Sequence, residues 1–372
     1  MTMRALPITR PLFGDVESAY LNQALISGNI AMGQMVELFE KMLHHYFAHE
    51  MHVISCSSGT AALHLALSSY DFTQYDEILV PDLAPIAVAN AVAYTGARVV
   101  PVDVDLETWT ISLEDCKRKI SNNTAAIMPV HLYGMPCNMR ALEDFAEEND
   151  LVIIEDAAQA LGAKFESMPC GLMGNVGCFS FDVNKMITTA EGGCVVTHDA
   201  HLAGEIRLRR DQGQSDDKQF YHEVLGYNYR MSDLHAAIGV AQLSRIDDFI
   251  EERQTIFKRY NSVLDLPKQR QQSPEYEIAP WLYTILLENE AQRNLVATRL
   301  AEQGIETRGI FIPLHRQPMY QRPDDQFVVS SYIVDRGISL PTYVGMTAED
   351  TTRVASAVNA CIAPQMRIVA RG

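Results

Sequence analysis

The sequence predicts an α/β protein: a large domain on a mainly parallel sheet covered by helices, followed by a smaller α+β unit. Three observations carry that prediction. Between residue 53 and about residue 200, short apolar runs alternate with amphipathic stretches, the pattern of strands joined by crossover helices. After residue 232, apolar positions recur at spacings of three, four or seven, as on one side of a helix. Residues 267–280 are polar and bounded by prolines, as expected of a loop.

Taken in order, strands are expected over residues 53–54, 77–80, 98–102, 125–130, 151–154, 177–181 and 194–197. Thr60, Leu63 and Leu67 share one helical face, and Leu142, Phe145 and Ala146 share another, so both segments suit crossover helices. Ser232 is the expected N-cap of one long helix carrying Leu243, Ile246, Ile250, Phe257, Tyr260 and Leu264 along a single side. The small unit is then an apolar run at 281–287, a helix at 291–303, a second run at 309–313 and a final helix at 348–361. The expected division is a large domain of residues 1–245 and a small C-terminal domain of residues 246–372.

Composition narrows the function. The 372 residues are 47% hydrophobic and 21% charged, an ordinary globular mixture that excludes a disordered, collagenous or coiled-coil chain. Thirty basic against 47 acidic side chains give a formal charge of −17, which repels a polyphosphate, so no nucleic-acid partner is expected. A small anion can still bind where a helix N-terminus offsets that field. The seven cysteines are scattered, with no C-x-x-C pair, so reduced thiols are expected and no zinc knuckle. The longest uncharged apolar stretch, 83–97, is broken by Pro85 and Asn90 and is too short to span a bilayer. The first residues lack the apolar core of a signal peptide, so a cytoplasmic protein without a membrane partner is expected.

Four segments carry the chemistry. Ser57-Ser58-Gly59-Thr60 follows an apolar run and opens a helical pattern. It is either a phosphate-binding turn or an ordinary cap through Ser58 or Thr60. Asp156 closes the run Leu151-Val-Ile-Ile-Glu-Asp, where open α/β sheets place ligands. It could hold a protonated pyridine nitrogen, or cap a helix, while Glu155 points to the opposite face. Lys185 leaves the strand-like Gly177-Cys-Phe-Ser-Phe and precedes the Gly192-Gly193 pair. It is a candidate Schiff-base lysine or else a solvated loop residue. Gly226-Tyr-Asn-Tyr-Arg-Met231 lies just before the expected long helix.

The ordered set resembles the DegT/DnrJ/EryC1/StrS group of pyridoxal-phosphate-dependent nucleotide-sugar aminotransferases. The runs that carry the resemblance are SSGTAALHLAL, VDVDLETWTI, IMPVHLYGMPCNM, IIEDAAQALGA, CFSF…NK…EGG, GYNYRMSDLHAAIGVAQL and RGIFIPLHRQPMY, spread over nearly the whole chain. The resemblance implies the aspartate aminotransferase fold (fold type I), pyridoxal 5'-phosphate as cofactor, and a homodimer with shared active sites. It implies L-glutamate as amino donor and a nucleotide-linked 4-keto-6-deoxy sugar, GDP-linked, as acceptor, with UDP- or dTDP-linked sugars and amination at C-3 as alternatives. It further implies that Lys185 is the catalytic lysine, Asp156 the pyridinium partner, and Gln159 the neighbour of the ring hydroxyl. Gly59, Thr60 and Ser180 match the phosphate cradle, and Asn228 matches a phosphate ligand from the neighbouring subunit. His315 and Arg230 fall near the sugar site, with a structural histidine as the alternative for His315.

Two positions depart from the family. Pro85 in Pro81-Asp-Leu-Ala-Pro85 stands where an aromatic residue usually covers the cofactor ring, and it lacks a π face. Asp182 stands where an aromatic is usual after the FSF run, and its charge bears on the lysine's pKa and on substrate choice. These departures leave a non-catalytic, regulatory binding protein as a reading of another class. The family's 3-dehydratase branch replaces the lysine with histidine, so Lys185 argues against it. No metal site is expected: His45 and His49 lack a third ligand, and Asp103 and Asp105 read as loop anchors. Ser58 has no G-x-S-x-G context, which argues against a hydrolase nucleophile.

Overall fold

The structure, a computed structural model, describes residues 4–47, 50–215, 217–271 and 273–369. Its centre is a seven-stranded sheet in the order His52–Cys56, Gly193–Thr197, Val176–Ser180, Val152–Asp156, Thr124–Ile127, Glu77–Pro81 and Arg98–Val102. All neighbours run parallel except Gly193–Thr197, which is antiparallel to both strands beside it. The strands read as unbroken apolar runs, such as Ile78-Leu79-Val80, because both faces are covered. One face packs Ile54, Val80, Ile154 and Val195 against helices Gly59–Ser68, Ile86–Thr95 and Ala200–Arg210. The other packs Val53, Phe179 and Val196 against helices Gln34–Phe47 and Asp233–Leu243, and Ile127 and Ile153 against helix Met139–Asn149.

Because Gly193–Thr197 alone is reversed, the other six strands end at one edge of the sheet, and Gly193 starts there. That edge gathers residues 57–60, 81–85, 156–159 and 180–185. In open α/β sheets, ligands bind at such a carboxyl edge.

The C-terminal part is built on a three-stranded antiparallel sheet, Tyr283–Leu286, Gly337–Leu340 and Arg308–Gly309. Its core joins Ile285, Ile338 and Leu340 to Val296 and Leu300 of helix Glu290–Glu302 and to Val354 and Val358 of helix Ala348–Val369. Phe257 and Tyr260 of helix Ile246–Asn261 complete it.

Three elements differ from expectation. Ser232 does cap a helix, accepting from the backbone N–H of His235, but that helix ends at Leu243 and a second runs from Ile246 to Asn261. A two-residue interruption keeps the three-residue step from Leu243 to Ile246, so the apolar period hides the break. Arg245 leaves helical geometry and pairs with Glu17. The run expected at 309–313 is a strand only over Arg308–Gly309. The middle strand Gly337–Leu340 was not anticipated, because it follows helix Val328–Arg336 with no turn residue between them. Gly337 eases that join: a Cβ there would lie 2.9 Å from the carbonyl oxygen of Ile333 in the preceding helix.

Candidate active site

The turn after strand His52–Cys56 opens helix Gly59–Ser68, and Ser58 caps it by accepting from the N–H of Ala61 at 3.1 Å. Gly59 is required by a close approach, since a Cβ there would sit 2.6 Å from Ser180 Cβ. The backbone N–H of Ser57 donates to the carbonyl of Tyr229 at 2.8 Å. Three separate segments thus meet at one helix N-terminus, where free amides and the helix dipole favour an anion. Ser180 is half-buried, and its Oγ accepts weakly from the N–H of Asp182 at 3.4 Å.

Asp156 ends its strand with 3% exposure. One carboxylate oxygen accepts from the N–H of Ala158 at 2.9 Å, and no partner reaches the other among the described residues. Residues 157–163 form turns rather than a helix, so the bond to Ala158 is a local turn and Asp156 is no helix cap. Burial pushes its pKa up, opposed by the Ala158 amide and the charges of Lys185 and His131. Gln159 Oε1 accepts from the backbone N–H of Tyr133 at 2.7 Å, while its Nε2 is buried with no hydrogen-bond partner.

Lys185 follows the strand that carries Ser180. Its N–H donates to the carbonyl of Asp182 at 3.0 Å, and its Nζ lies 4.7 Å over the ring of Trp281. Burial lowers its pKa to about 8, Asp156 and Asp182 pull it back up, and Arg308 lowers it further. Asp182 accepts from the N–H of Val183 and from Asn184 Nδ2. This departure from the family pattern therefore bears on the lysine through its charge and through the shape of its loop. The structure thus brings Lys185, Asp156 and Asp182 into one electrostatic environment beside the Gly59–Ser180 approach.

Other residues lie further out. Pro85 begins helix Ile86–Thr95 at the same sheet edge and is half-buried. Asn228 is exposed and pairs its backbone with Asp211, whose carboxylate binds Arg230. His315, expected beside the sugar, is wholly buried, and both ring nitrogens face carboxylates, Asp82 at 2.7 Å and Asp324 at 3.0 Å. It stacks on Phe327 at 4.7 Å and ties the 81–85 turn to the C-terminal segment, presenting no free nitrogen. His45 is exposed and His49 lies outside the described residues. No group of three or more potential metal ligands occurs among the described residues. Asp103 and Asp105 anchor loops, accepting from the N–H groups of Ser330 and Val329 and of Glu107 and Thr108 respectively.

Four site residues escaped the sequence reading: Trp281, Arg253, Arg308 and Tyr133. Arg253 donates from Nη1 to the carbonyl of Trp281 at 2.9 Å and from Nη2 to that of Lys185 at 3.2 Å. Trp281 Nε1 donates to the carbonyl of Asn184 at 2.6 Å. Tyr133 stacks on Trp281 at 5.5 Å. These partners lie tens of residues away in the chain and belong to no local pattern.

The DegT/DnrJ/EryC1/StrS aminotransferase family model matches residues 12–359. The chain belongs to this family. It is 38% identical to the GDP-perosamine synthase of Escherichia coli O157:H7, over 96% of this chain and 98% of that one. It is 34% identical to a UDP-N-acetyl-3-dehydro-α-D-glucosamine 3-aminotransferase of Acidithiobacillus ferrooxidans, over 82% and 83%. The PLP form of a putative sugar aminotransferase, Spr1654 from Streptococcus pneumoniae, superposes with a TM-score of 0.92 at 24% identity, over 96% and 98%. That likeness shows the shared fold.

As a member of the DegT/DnrJ/EryC1/StrS family, the protein is an aminotransferase that uses pyridoxal phosphate. The donor set fits that cofactor. The edge offers a helix N-terminus suited to a phosphate, a buried carboxylate with a free oxygen suited to a cationic ring nitrogen, and an orphaned buried amide in Gln159 Nε2.

Proposed function

We propose that this aminotransferase moves the amino group of L-glutamate to C-4 of a GDP-linked 4-keto-6-deoxy hexose. The observation that carries the chemistry is Lys185, an amine with its pKa lowered to about 8 at the same sheet edge as Asp156 and residues 57–60. The GDP-sugar assignment rests on the GDP-perosamine synthases among the relatives, at 36–38% identity.

Pyridoxal phosphate supplies the aldehyde carbon that receives the amino group and the ring that draws electrons from it. Lys185 anchors the cofactor and, when free, takes the proton from the donor α-carbon at Nζ. An amine titrating near 8 has a neutral fraction at physiological pH and so can act as a base. Asp156 would hold the cationic ring nitrogen through its free oxygen, and the unpartnered Nε2 of Gln159 would donate to the ring hydroxyl. Gly59, Thr60 and Ser180 would hold the phosphate, and Pro85 would cover the ring without a π face. Asn228 reaches the phosphate of a neighbouring subunit, and Arg230 lies toward the substrate. His315 acts at one remove by fixing the turn that carries Pro85.

The working form in this proposal is a homodimer. Asn228 is exposed, and the adjoining segment leaves Phe220, Tyr221 and Leu225 exposed too, an apolar surface that a second copy would cover. All seven cysteines are free, which agrees with a reducing compartment such as the cytosol. No described helix is long and apolar enough to cross a membrane.

The test supplies purified protein with PLP, L-glutamate and a panel of GDP-, UDP- and dTDP-linked 4-keto-6-deoxy hexoses. The expected product is the GDP-linked 4-amino sugar. Product from a UDP-linked acceptor alone would shift the assignment toward the relative that acts at C-3. No product with any acceptor, despite bound cofactor, would favour the non-catalytic reading.

A further inference from the structure

A lysine that takes up a proton becomes an ammonium, and an ammonium in a half-buried site needs a partner. The partner on the page is an aromatic face. Lys185 Nζ lies 4.7 Å from the centroid of the Trp281 ring, within the range in which the ring quadrupole attracts a cation.

Trp281 is fixed from every side. It is 2% exposed, stacks on Tyr133 at 5.5 Å and lies nearly parallel to Phe311, with 12° between the planes. Its Nε1 donates to the carbonyl of Asn184, the residue before the lysine. Arg253 donates to the carbonyls of both Trp281 and Lys185. The indole and the lysine's backbone are thus tied together by two links that do not involve Nζ.

We propose that the face of Trp281 is the resting position of the Lys185 ammonium whenever the lysine is unbonded, which makes Trp281 a positioning residue for the proton-transferring base. The inference rests on the reading of Lys185 as that base, but its test uses the protein without cofactor. Failure here is therefore separable from failure of the proposed function. The charges facing Lys185 are Asp156 from the central sheet, Asp182 from its own loop, Arg308 from the small sheet and the Arg253 guanidinium from helix Ile246–Asn261. The two carboxylates favour the charged amine and Arg308 opposes it. The face of the indole adds to the carboxylates' side while its bulk adds to the burial that lowers the pKa, so the face is isolated by comparing a variant that keeps an aromatic ring with one that does not.

The experiment follows amine labelling of Lys185 against pH in cofactor-free protein, read by mass spectrometry of its peptide. Trp281→Leu should move the midpoint down by about one pH unit, and Trp281→Phe, which keeps a π face, by less. A Trp281→Leu protein that melts like the wild type and labels with an unchanged midpoint overturns the proposal. So does a Phe variant that shifts as far as the Leu variant. A second measurement needs no change at 281. The sequence has two tryptophans, so Trp109→Phe leaves Trp281 as the only indole. Its emission should then follow the same midpoint and lose that transition when Lys185→Ala is added. An emission that is flat through the lysine's titration overturns the proposal, even if Trp281→Leu fails to fold.

Discussion

Glu155 and Asp156 are successive residues of one strand, both buried, and they point to opposite faces of the sheet. Glu155 is saturated: its two oxygens accept from the N–H groups of Gly171, Met173 and Gly174 and from His131 Nε2. The Nδ1 side of the His131 ring lies 3.0 Å from the backbone nitrogen of Cys137, which holds its Nε2 against Glu155. Asp156 has a single amide partner, a free oxygen and a lysine in its field. The first carboxylate stitches the 171–174 loop to the sheet, and nothing is left over for a ligand. The second keeps unspent bonding capacity in a site that could have supplied it. Burial alone does not mark a functional acid; incomplete satisfaction beside an opposite charge does.

The contrast can be broken at either face. The largest effect is expected from Lys185→Ala, which removes the base: the fold should persist and transamination should fall to background in a product assay. Asp156→Asn keeps the shape but cannot hold a cationic ring nitrogen. Turnover should drop by about two orders of magnitude or more, while the melting temperature stays level or rises, because a buried charge has gone. Glu155→Ala should give the inverse result. It strands three amides and a histidine, so chemical denaturation should show a loss of about 3 kcal/mol or more, while the folded fraction still binds PLP.

A pH series sharpens the comparison. Lys185 titrates at about 8 when folded against 10.5 as its ordinary value, so the native state binds fewer protons between those values. Its contribution to stability is present above 10.5 and is lost as pH falls through about 8. Cofactor-free Lys185→Met should therefore melt higher than the wild type below pH 8, and the gain should vanish above 10.5. Asp156 behaves oppositely in sign, its raised pKa costing stability as pH climbs above 3.8. The smallest effect is expected from Asn228→Ala, which should weaken PLP retention on dialysis without moving the melting curve. Unchanged retention would remove Asn228 from the phosphate site.

The face of the site built from local signals was legible in the sequence. Asp156 and Ser180 end apolar strands, Ser58, Gly59 and Lys185 come just after such strands, and a mainly parallel sheet delivers strand ends to one edge. The opposite placement of Glu155 followed from the two-residue period of a strand. The face supplied by the C-terminal half was not legible. Trp281 bonds a residue 97 positions away and Arg253 one 68 away, and neither sits in a pattern that names its partner. Trp281 lies in an apolar run that predicts only burial. His315, for which the sequence left both a place near the sugar and a structural role open, is held by Asp82 and Asp324, partners 233 and 9 positions away that no local pattern names.

The most direct test of the account is the near-ultraviolet and visible absorbance of the purified protein incubated with PLP, before and after L-glutamate. A protein-bound chromophore that glutamate converts to the pyridoxamine form, and that Lys185→Ala never develops, is the predicted result. A protein that stays colourless with PLP, or whose bound chromophore ignores glutamate, would contradict it.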